Sequence, residues 1–327
     1  MGEIYLTIKN IAILTSGGDA PGMNAAIRAI TRYALGQNIN VFGVNRGYTG
    51  LRNGDIFKMN LRTVSDILHR GGTILYSARD TEFLSENGVK QAVDTCNKNE
   101  IDVVVAIGGN GTLNGIKKLS DMGIKCMFVP ASIDNDMPYT EYAIGFDTAT
   151  NTAVEMVDKI RDTTQSHEKC SVVEVMGRHC GDIALFTGIS VGATAIIVPE
   201  IECDFEKDVI ERIKITKRLG KRHFIVIVSE NCFDSSKIAK SIEEKTGVQT
   251  RCTILGHVQR GGSPTIRDRV VASLMGCKVV DNILDKKFNK AIALRCDKVI
   301  NIDIDEALKC KKNIDLNLYI HALQISI

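Results

Sequence analysis

Short runs of apolar, largely β-branched residues recur along the chain, separated by segments whose apolar positions repeat at helical spacing. The runs lie at 11–15, 41–44, 103–107, 125–129, 171–175, 195–198 and 224–228. Most are apolar on both faces, the pattern of strands covered on two sides. Between them, Ala153, Met156, Val157 and Ile160 share one helical face, which predicts a helix over 148–163. Ser263 and Pro264 read as an N-cap and first-turn proline ahead of a helix through Leu284. The alternation predicts an α/β fold with mainly parallel sheets.

Polar motifs stand just after strand ends. They are TSGGDAPG at 15–22, GGNGT at 108–112, PASIDND at 130–136, EVMGR at 174–178 and SE at 229–230. Ligands of open α/β sheets bind outside the carboxyl ends of strands, so five such tips on parallel strands would form one cleft. No linker announces itself, and the break between domains is placed near Gly145.

Composition narrows the class. The chain has 327 residues, enough for about two domains. Its 41 basic and 39 acidic residues leave a net charge of +2, which gives no reason to expect nucleic acid or an acidic membrane surface. No apolar run approaches the ~18 residues of a membrane span. The start, MGEIYLTIKNIAILT, lacks the basic end and apolar block of a secretory leader, and Leu6 stands where acylation of Gly2 wants Ser or Thr. Ten cysteines are scattered without a C-x-x-C pair, which excludes zinc-ribbon clusters and fits a reducing cytoplasm.

Several motifs carry chemistry. The glycines of 17–22 and 108–112 suit close approach of a phosphate to the backbone, or simply tight strand-to-helix turns. Two such loops on one sheet favour a polyphosphate. Neither is a Walker A loop or a G-x-G-x-x-G fingerprint. Asp134 and Asp136 can hold a metal or take a proton, or can form an Asx-rich turn. Arg161, Lys169, Arg178, Arg251 and Arg260, with His257, lie near polar loops and suit phosphate oxygens, although any one alone reads as a solvated cation. Arg28 and Arg32 share a helix face at i, i+4 spacing.

In their order and spacing, TSGGDAPGMNAAIR, RGGTILYSAR, IDND, RDTTQSH, SVVEVMGR, VSEN, TILGHVQRGGSP and DRVVASLMG resemble the bacterial ATP-dependent 6-phosphofructokinase family, over nearly the whole chain to about residue 310. The resemblance implies two Rossmann-like α/β domains with the active site in the cleft between them. The larger, nucleotide-binding domain is expected over 1–144 plus 258–308, and the smaller, sugar-phosphate-binding one over 145–257 plus 309–327. It also implies phosphorylation of the 1-hydroxyl of fructose 6-phosphate by MgATP, the committed step of glycolysis.

Residue by residue, the resemblance implies that Gly18, Gly109, Asn110, Gly111 and Thr112 line the nucleotide, with Arg79 and Asp80 beside it. Asp134 is implied as the base for the sugar hydroxyl, with Asp136 beside it; Ser132 keeps a hydroxyl near the transferred phosphoryl, and Ile133 accompanies them at the sugar. Met176, Gly177, Arg178 and Glu230 are implied to hold the sugar. Arg251, His257, Val258, Gln259 and Arg260, with Lys169, are implied around its 6-phosphate. Positions 169 and 251 reach across subunits in the family, so a homotetramer with shared sites is implied. An effector site for ADP or phosphoenolpyruvate is implied at Arg28, Arg32, Arg161 and Lys221.

The chain departs from the family pattern in places. Asn110 stands where an aspartate ligates magnesium, Lys169 replaces arginine, and Thr194 replaces the glutamate that holds the effector's metal. In the 60–63 loop the usual arginine is displaced by one position. Gly111 and Ala131 are small where pyrophosphate-dependent relatives carry aspartate and lysine, which favours ATP as donor. The alternative to an active kinase is a weakened or non-catalytic paralogue that binds sugar phosphate or nucleotide and regulates or assembles with another subunit. A dinucleotide oxidoreductase lacks its fingerprint here, and NAD kinases share a GGNGT-like loop but lack IDND and GHVQRGGSP.

Overall fold

The computed structural model describes residues 8–326; the stretch 1–7, on which the leader and acylation readings bear, lies outside them. In chain order the first half contains β1 (Asn10–Ser16), α1 (Met23–Gly36), β2 (Asn40–Val44), α2 (Gly47–Asn53), β3 (Ile56–Met59), α3 (Glu86–Lys98), β4 (Val103–Gly108), α4 (Asn110–Asp121), β5 (Lys125–Pro130) and α5 (Phe146–Ser166). The second half contains β6 (Cys170–Val175), α6 (Asp182–Ser190), β7 (Ala195–Ile197), α7 (Arg212–Arg218), β8 (Phe224–Ser229), α8 (Ser235–Thr246), β9 (Thr250–Ile254), α9 (Ile266–Leu284), β10 (Lys290–Arg295), β11 (Lys298–Asp303), α10 (Ile304–Lys309) and α11 (Leu316–Gln324).

Each apolar run forms a strand. The chain divides into two compact units. Among the described residues, one unit takes those up to Ser132, Met137–Gly145 and Arg260–Lys312; the other takes Ile133–Asp136, Phe146–Gln259 and the residues from Asn313 onward.

The first unit holds a sheet ordered β11-β10-β5-β4-β1-β2-β3. Its interior pairings are parallel, and only the flanking β3 and β11 run antiparallel. β4 is buried along its whole length, as a strand with helices on both faces must be. Leu14, Val104, Phe128 and Tyr139 belong to this unit's core. The second unit holds an all-parallel sheet ordered β7-β8-β6-β9, with Val172, Val226, Ile213 and Ile242 in a core of its own.

The strand-end motifs are divided between the sheets: those after β1, β4 and β5 belong to the first unit's sheet, and those after β6 and β8 to the second's. Two local expectations are corrected. α5 runs Phe146–Ser166, longer at both ends than its apolar stripe. α9 begins at Ile266, because the Oγ1 of Thr265 accepts from the Asp268 N–H at 3.2 Å and makes Thr265 the N-cap. The Ser263 hydroxyl is instead committed to the His69 carbonyl at 2.6 Å. Among the described residues no helix is long and apolar enough to cross a membrane.

Candidate active site

In the first unit, Ser16 is level with Gly108, and Gly108 is level with Pro130. The chain segments that follow β1, β4 and β5 therefore leave the sheet side by side at its carboxyl edge. The Thr112 hydroxyl donates to the Ser16 carbonyl at 3.0 Å and pins the second glycine loop to the first. α1 and α4 start at these loops, and the partial positive charge of a helix start favours an anion. Gly111 is exposed, and a Cβ there would meet nothing within 4 Å, so this side of the loop is open. Ala131 is buried and its N–H donates to the Gly108 carbonyl at 2.9 Å.

The segment before Arg79 is tied to the first loop by side chains. Asn24, 1% exposed, donates to the carbonyls of Arg70 and Gly71 and accepts from the Ile74 N–H at 2.8 Å. The Thr15 hydroxyl donates to the Tyr76 carbonyl at 2.8 Å, and Ser77 Oγ donates to the Gly17 carbonyl at 2.5 Å. Arg79 is exposed, with no ion-pair or hydrogen-bond partner among the described residues. Asp80 is differently employed. Burial pushes its carboxyl up, but the Phe83 N–H, the Arg52 guanidinium and the Thr49 hydroxyl prevail and hold it below the usual carboxylate range. Arg260 falls in this unit too, with its guanidinium against the first loop. A Cβ on Gly18 would approach its Nη1 to 2.6 Å, and Nη1 donates to the Asp19 carbonyl at 3.3 Å.

In the second unit, Val175 is level with Ser229, and Glu174 with Ile254, so the EVMGR, SE and GHVQR motifs also leave their sheet together. The Glu230 carboxylate accepts from the N–H groups of Gly177 at 3.3 Å and Arg178 at 2.8 Å. Arg178 has a left-handed backbone, φ 59°, with its side chain exposed. That conformation is costly for arginine, and such strain concentrates at functional turns. Met176 is buried. Gln259 is fully buried and its amide is spent on structure, accepting from Met176 N–H at 3.3 Å and donating to the Gly256 carbonyl at 3.0 Å. His257 and Val258, on the same short turn, are exposed. Arg251 is exposed on the edge strand β9, and Lys169 is half-buried just before β6.

Ile133 and Asp134 are buried, and Ser132 and Asp136 half-buried. Between the two carboxylates, Asn135 has φ 51° and donates its amide to Asp182 Oδ2 at 2.8 Å, which anchors the turn to the start of α6. Asparagine tolerates this backbone better than most residues.

Arg28, half-buried, and Arg32, exposed, lie on α1 in the first unit. In the second unit Arg161 and Lys221 belong to one cationic group. Burial, then Arg161 and Arg212, hold the Lys221 amine below its usual range. His223 is lowered too, by burial, Arg161 and Lys221. Carbonyls partly offset this charge: Arg161 donates to that of Val191, Arg212 to that of Leu323 at 2.5 Å, and Lys221 to that of Ser326 at 3.4 Å.

Among the described residues no group of three or more His, Cys, Asp or Glu is placed to hold a metal, and the first turn of α4 has no acidic side chain. These residues do not fit a magnesium site built by the protein alone.

Sequence reasoning passed over Tyr48 and Arg52. Buried Tyr48 donates its hydroxyl to the Thr112 carbonyl at 2.6 Å and stacks on Phe83 at 4.1 Å. The only signal in the sequence was their i, i+4 spacing beside Gly47 and Gly50.

A family model described as phosphofructokinase matches residues 10–283. An ATP-dependent 6-phosphofructokinase of Clostridioides difficile is 49% identical over 320 residues, covering 98% of this chain and 100% of that one. Another, of Clostridium acetobutylicum, is 51% identical over 312 residues, covering 95% and 98%. The structure of phosphofructokinase from Saccharomyces cerevisiae superposes with a TM-score of 0.87 at 33% identity, covering 98% of this chain and 48% of that one, so the chain spans about half the yeast chain's length.

Proposed function

The chain belongs to the phosphofructokinase family, and from that premise we propose that it phosphorylates fructose 6-phosphate on its 1-hydroxyl with ATP, giving fructose 1,6-bisphosphate and ADP. The observation that carries the reading is the level exit of the two glycine loops from adjacent parallel strands, joined through Thr112 and Ser16. Gly109, Asn110, Gly111 and Thr112, with Gly18, take the phosphates on backbone N–H groups. Arg79, exposed, spreads charge over the transferring group. Asp134 accepts the proton of the 1-hydroxyl as that oxygen bonds to the γ-phosphorus and the bond to the β-phosphate oxygen breaks. Ser132 and Asp136 flank that step. Met176, Gly177, Arg178 and Glu230 hold the sugar; Lys169, Arg251, His257 and Arg260 take its 6-phosphate and orient the reacting oxygen. Gln259 serves by shaping that turn, since its amide is engaged.

Magnesium enters on the ATP phosphates and is counted with the co-substrate. The reaction runs in the cytoplasm, where free thiols persist. We further propose a homotetramer with sites completed between copies, and an ADP or phosphoenolpyruvate effector site using Arg28, Arg32, Arg161 and Lys221. Sedimentation and activity curves in fructose 6-phosphate, with and without each effector, test these two statements.

The deciding experiment is ADP formation by the purified protein with fructose 6-phosphate and ATP across a magnesium titration. Turnover that requires all three is the expected result. Sugar-phosphate binding without ADP formation would favour the non-catalytic reading, which Asn110 and Lys169 motivate.

A further inference from the structure

The loop that carries Arg79 is gripped by a helix outside the recognised motifs. Arg52 on α2 is only 15% exposed, and its guanidinium reaches three partners. Nε meets Asp80 Oδ2 at 3.2 Å, Nη2 meets Glu82 Oε2 at 2.5 Å, and Nη1 meets Gln91 Oε1 at 3.3 Å. Asp80, whose side chain is 5% exposed, follows Arg79 directly, and its Oδ1 accepts from the Phe83 N–H at 3.0 Å. One helical turn before Arg52, Tyr48 stacks on Phe83 and donates to the Thr112 carbonyl. Two side chains at i, i+4 on one short helix thus hold the Arg79 loop and the second glycine loop at once. Arg79 itself is exposed.

We propose that Arg52 is a positioning residue for phosphoryl transfer, which through its partly buried ion pair with Asp80 fixes the backbone from which Arg79 reaches the transferring group. The inference rests on the reading of Arg79 given above. An exposed arginine has many rotamers, and its catalytic value depends on where its backbone is held. A misplacement of about 1 Å from a change away from the chemistry can cost on the order of 10²-fold in rate. Arg52 is suited to the task because its rigid planar fork spreads its donors over three nitrogens and fixes the geometry of several acceptors at once, whereas an ammonium offers its donors from a single freely rotating atom. Removal of the Asp80 carboxylate leaves Arg52 only the exposed Glu82 as counter-ion, and removal of Arg52 leaves the Asp80 carboxylate without its cation.

The test compares Arg52→Ala, Arg52→Lys, Asp80→Asn and the Arg52→Ala/Asp80→Asn double variant with Arg79→Ala, reading kcat, both KM values and the melting temperature of each. The expected result is a kcat about tenfold lower in Arg52→Ala and in Asp80→Asn, with KM for fructose 6-phosphate unchanged and no further loss in the double variant. Arg52→Lys recovers part of the rate. Should Arg52→Ala fail to fold, Arg52→Lys and Asp80→Asn carry the same comparison. Wild-type kcat and KM for ATP in Arg52→Ala beside an impaired Arg79→Ala would overturn the proposal and leave the reading of Arg79 standing. Losses that multiply in the double variant would also overturn it, since they would show independent roles. A full-rate Arg79→Ala would remove the premise instead, and is told apart by that variant alone.

Discussion

Asn110 is the first residue of α4, in a helix turn without an acidic side chain. Under the proposed reading an amide there would offer one oxygen to a magnesium-bound water but bring no charge. A carboxylate at a helix start is favourable by about 0.3–1 kcal/mol, so the fold should accept Asn110→Asp. The expected outcome is higher turnover or a lower magnesium requirement, read by titrating the metal in the coupled assay; unchanged values would show that the amide is no handicap. Asp80 makes a separate, pH-dependent prediction. Its carboxyl is held below the usual range in the folded protein, so its contribution to stability is present above the unfolded value of 3.8 and is lost as pH falls through the folded value. Thermal melts of the parent and Asp80→Asn should therefore differ at pH 7 and converge toward pH 3. A constant difference across that range would assign the loss to packing alone.

Among elements, α2 and α4 are joined at close quarters. A Cβ on Gly115 would stand 2.5 Å from the Tyr48 ring, which is 4% exposed and held at its hydroxyl and its stacked face. Alanine is normally the better helix former by about 1 kcal/mol. Gly115→Ala should nevertheless destabilise, by about 1–3 kcal/mol, because the buried ring cannot yield without breaking its contacts. Urea unfolding measures this, and a stabilised variant would show that the ring moves freely. Some elements were hidden from periodicity. β10 and β11 are joined through Cys296 and Asp297, with φ 48° and 56°, a left-handed pair without the Asn-Gly or Asp-Gly signal of such hairpins. β9 is an edge strand only partly buried, so TRCTI shows no two-faced apolar run. The cap of α9 falls two residues beyond Ser263, intrinsically the better capping residue, because the Ser263 hydroxyl is taken by the distant His69 carbonyl and Thr265 caps instead.

For the molecule as a whole, donor choice is the sharpest expectation. Gly111 leaves its side of the loop open and Ala131 is small and buried, so at the proposed nucleotide site no side chain blocks the loop and no added carboxylate or ammonium redefines the donor. Rates with ATP should exceed those with pyrophosphate by orders of magnitude in parallel assays, and comparable rates would refute the steric argument. All ten cysteines are free thiols, with Cys96, Cys126, Cys170 and Cys180 buried. Burial pushes the Cys96 and Cys170 thiols up to about 12, so they stay protonated at neutral pH. Thiol titration of the native protein should find exposed Cys296 first and reach the buried four only on unfolding; early labelling of Cys170 would mean that the second unit opens readily.

The sequence by itself determined the α/β class, the strands buried on both faces, and the placement of polar motifs after strand ends. These follow from side-chain period and turn chemistry, which act over a few residues. Only the tertiary structure decided that Ser16, Gly108 and Pro130 end level, that Gln259 is spent on Met176 and Gly256, and that Arg260 lies against Gly18. It alone revealed Tyr48 and Arg52 as the grip on two loops. The hydroxyl of Thr112 meets the carbonyl of Ser16 across 96 residues of chain. Strand order and register create such partnerships, and local periodicity does not encode them.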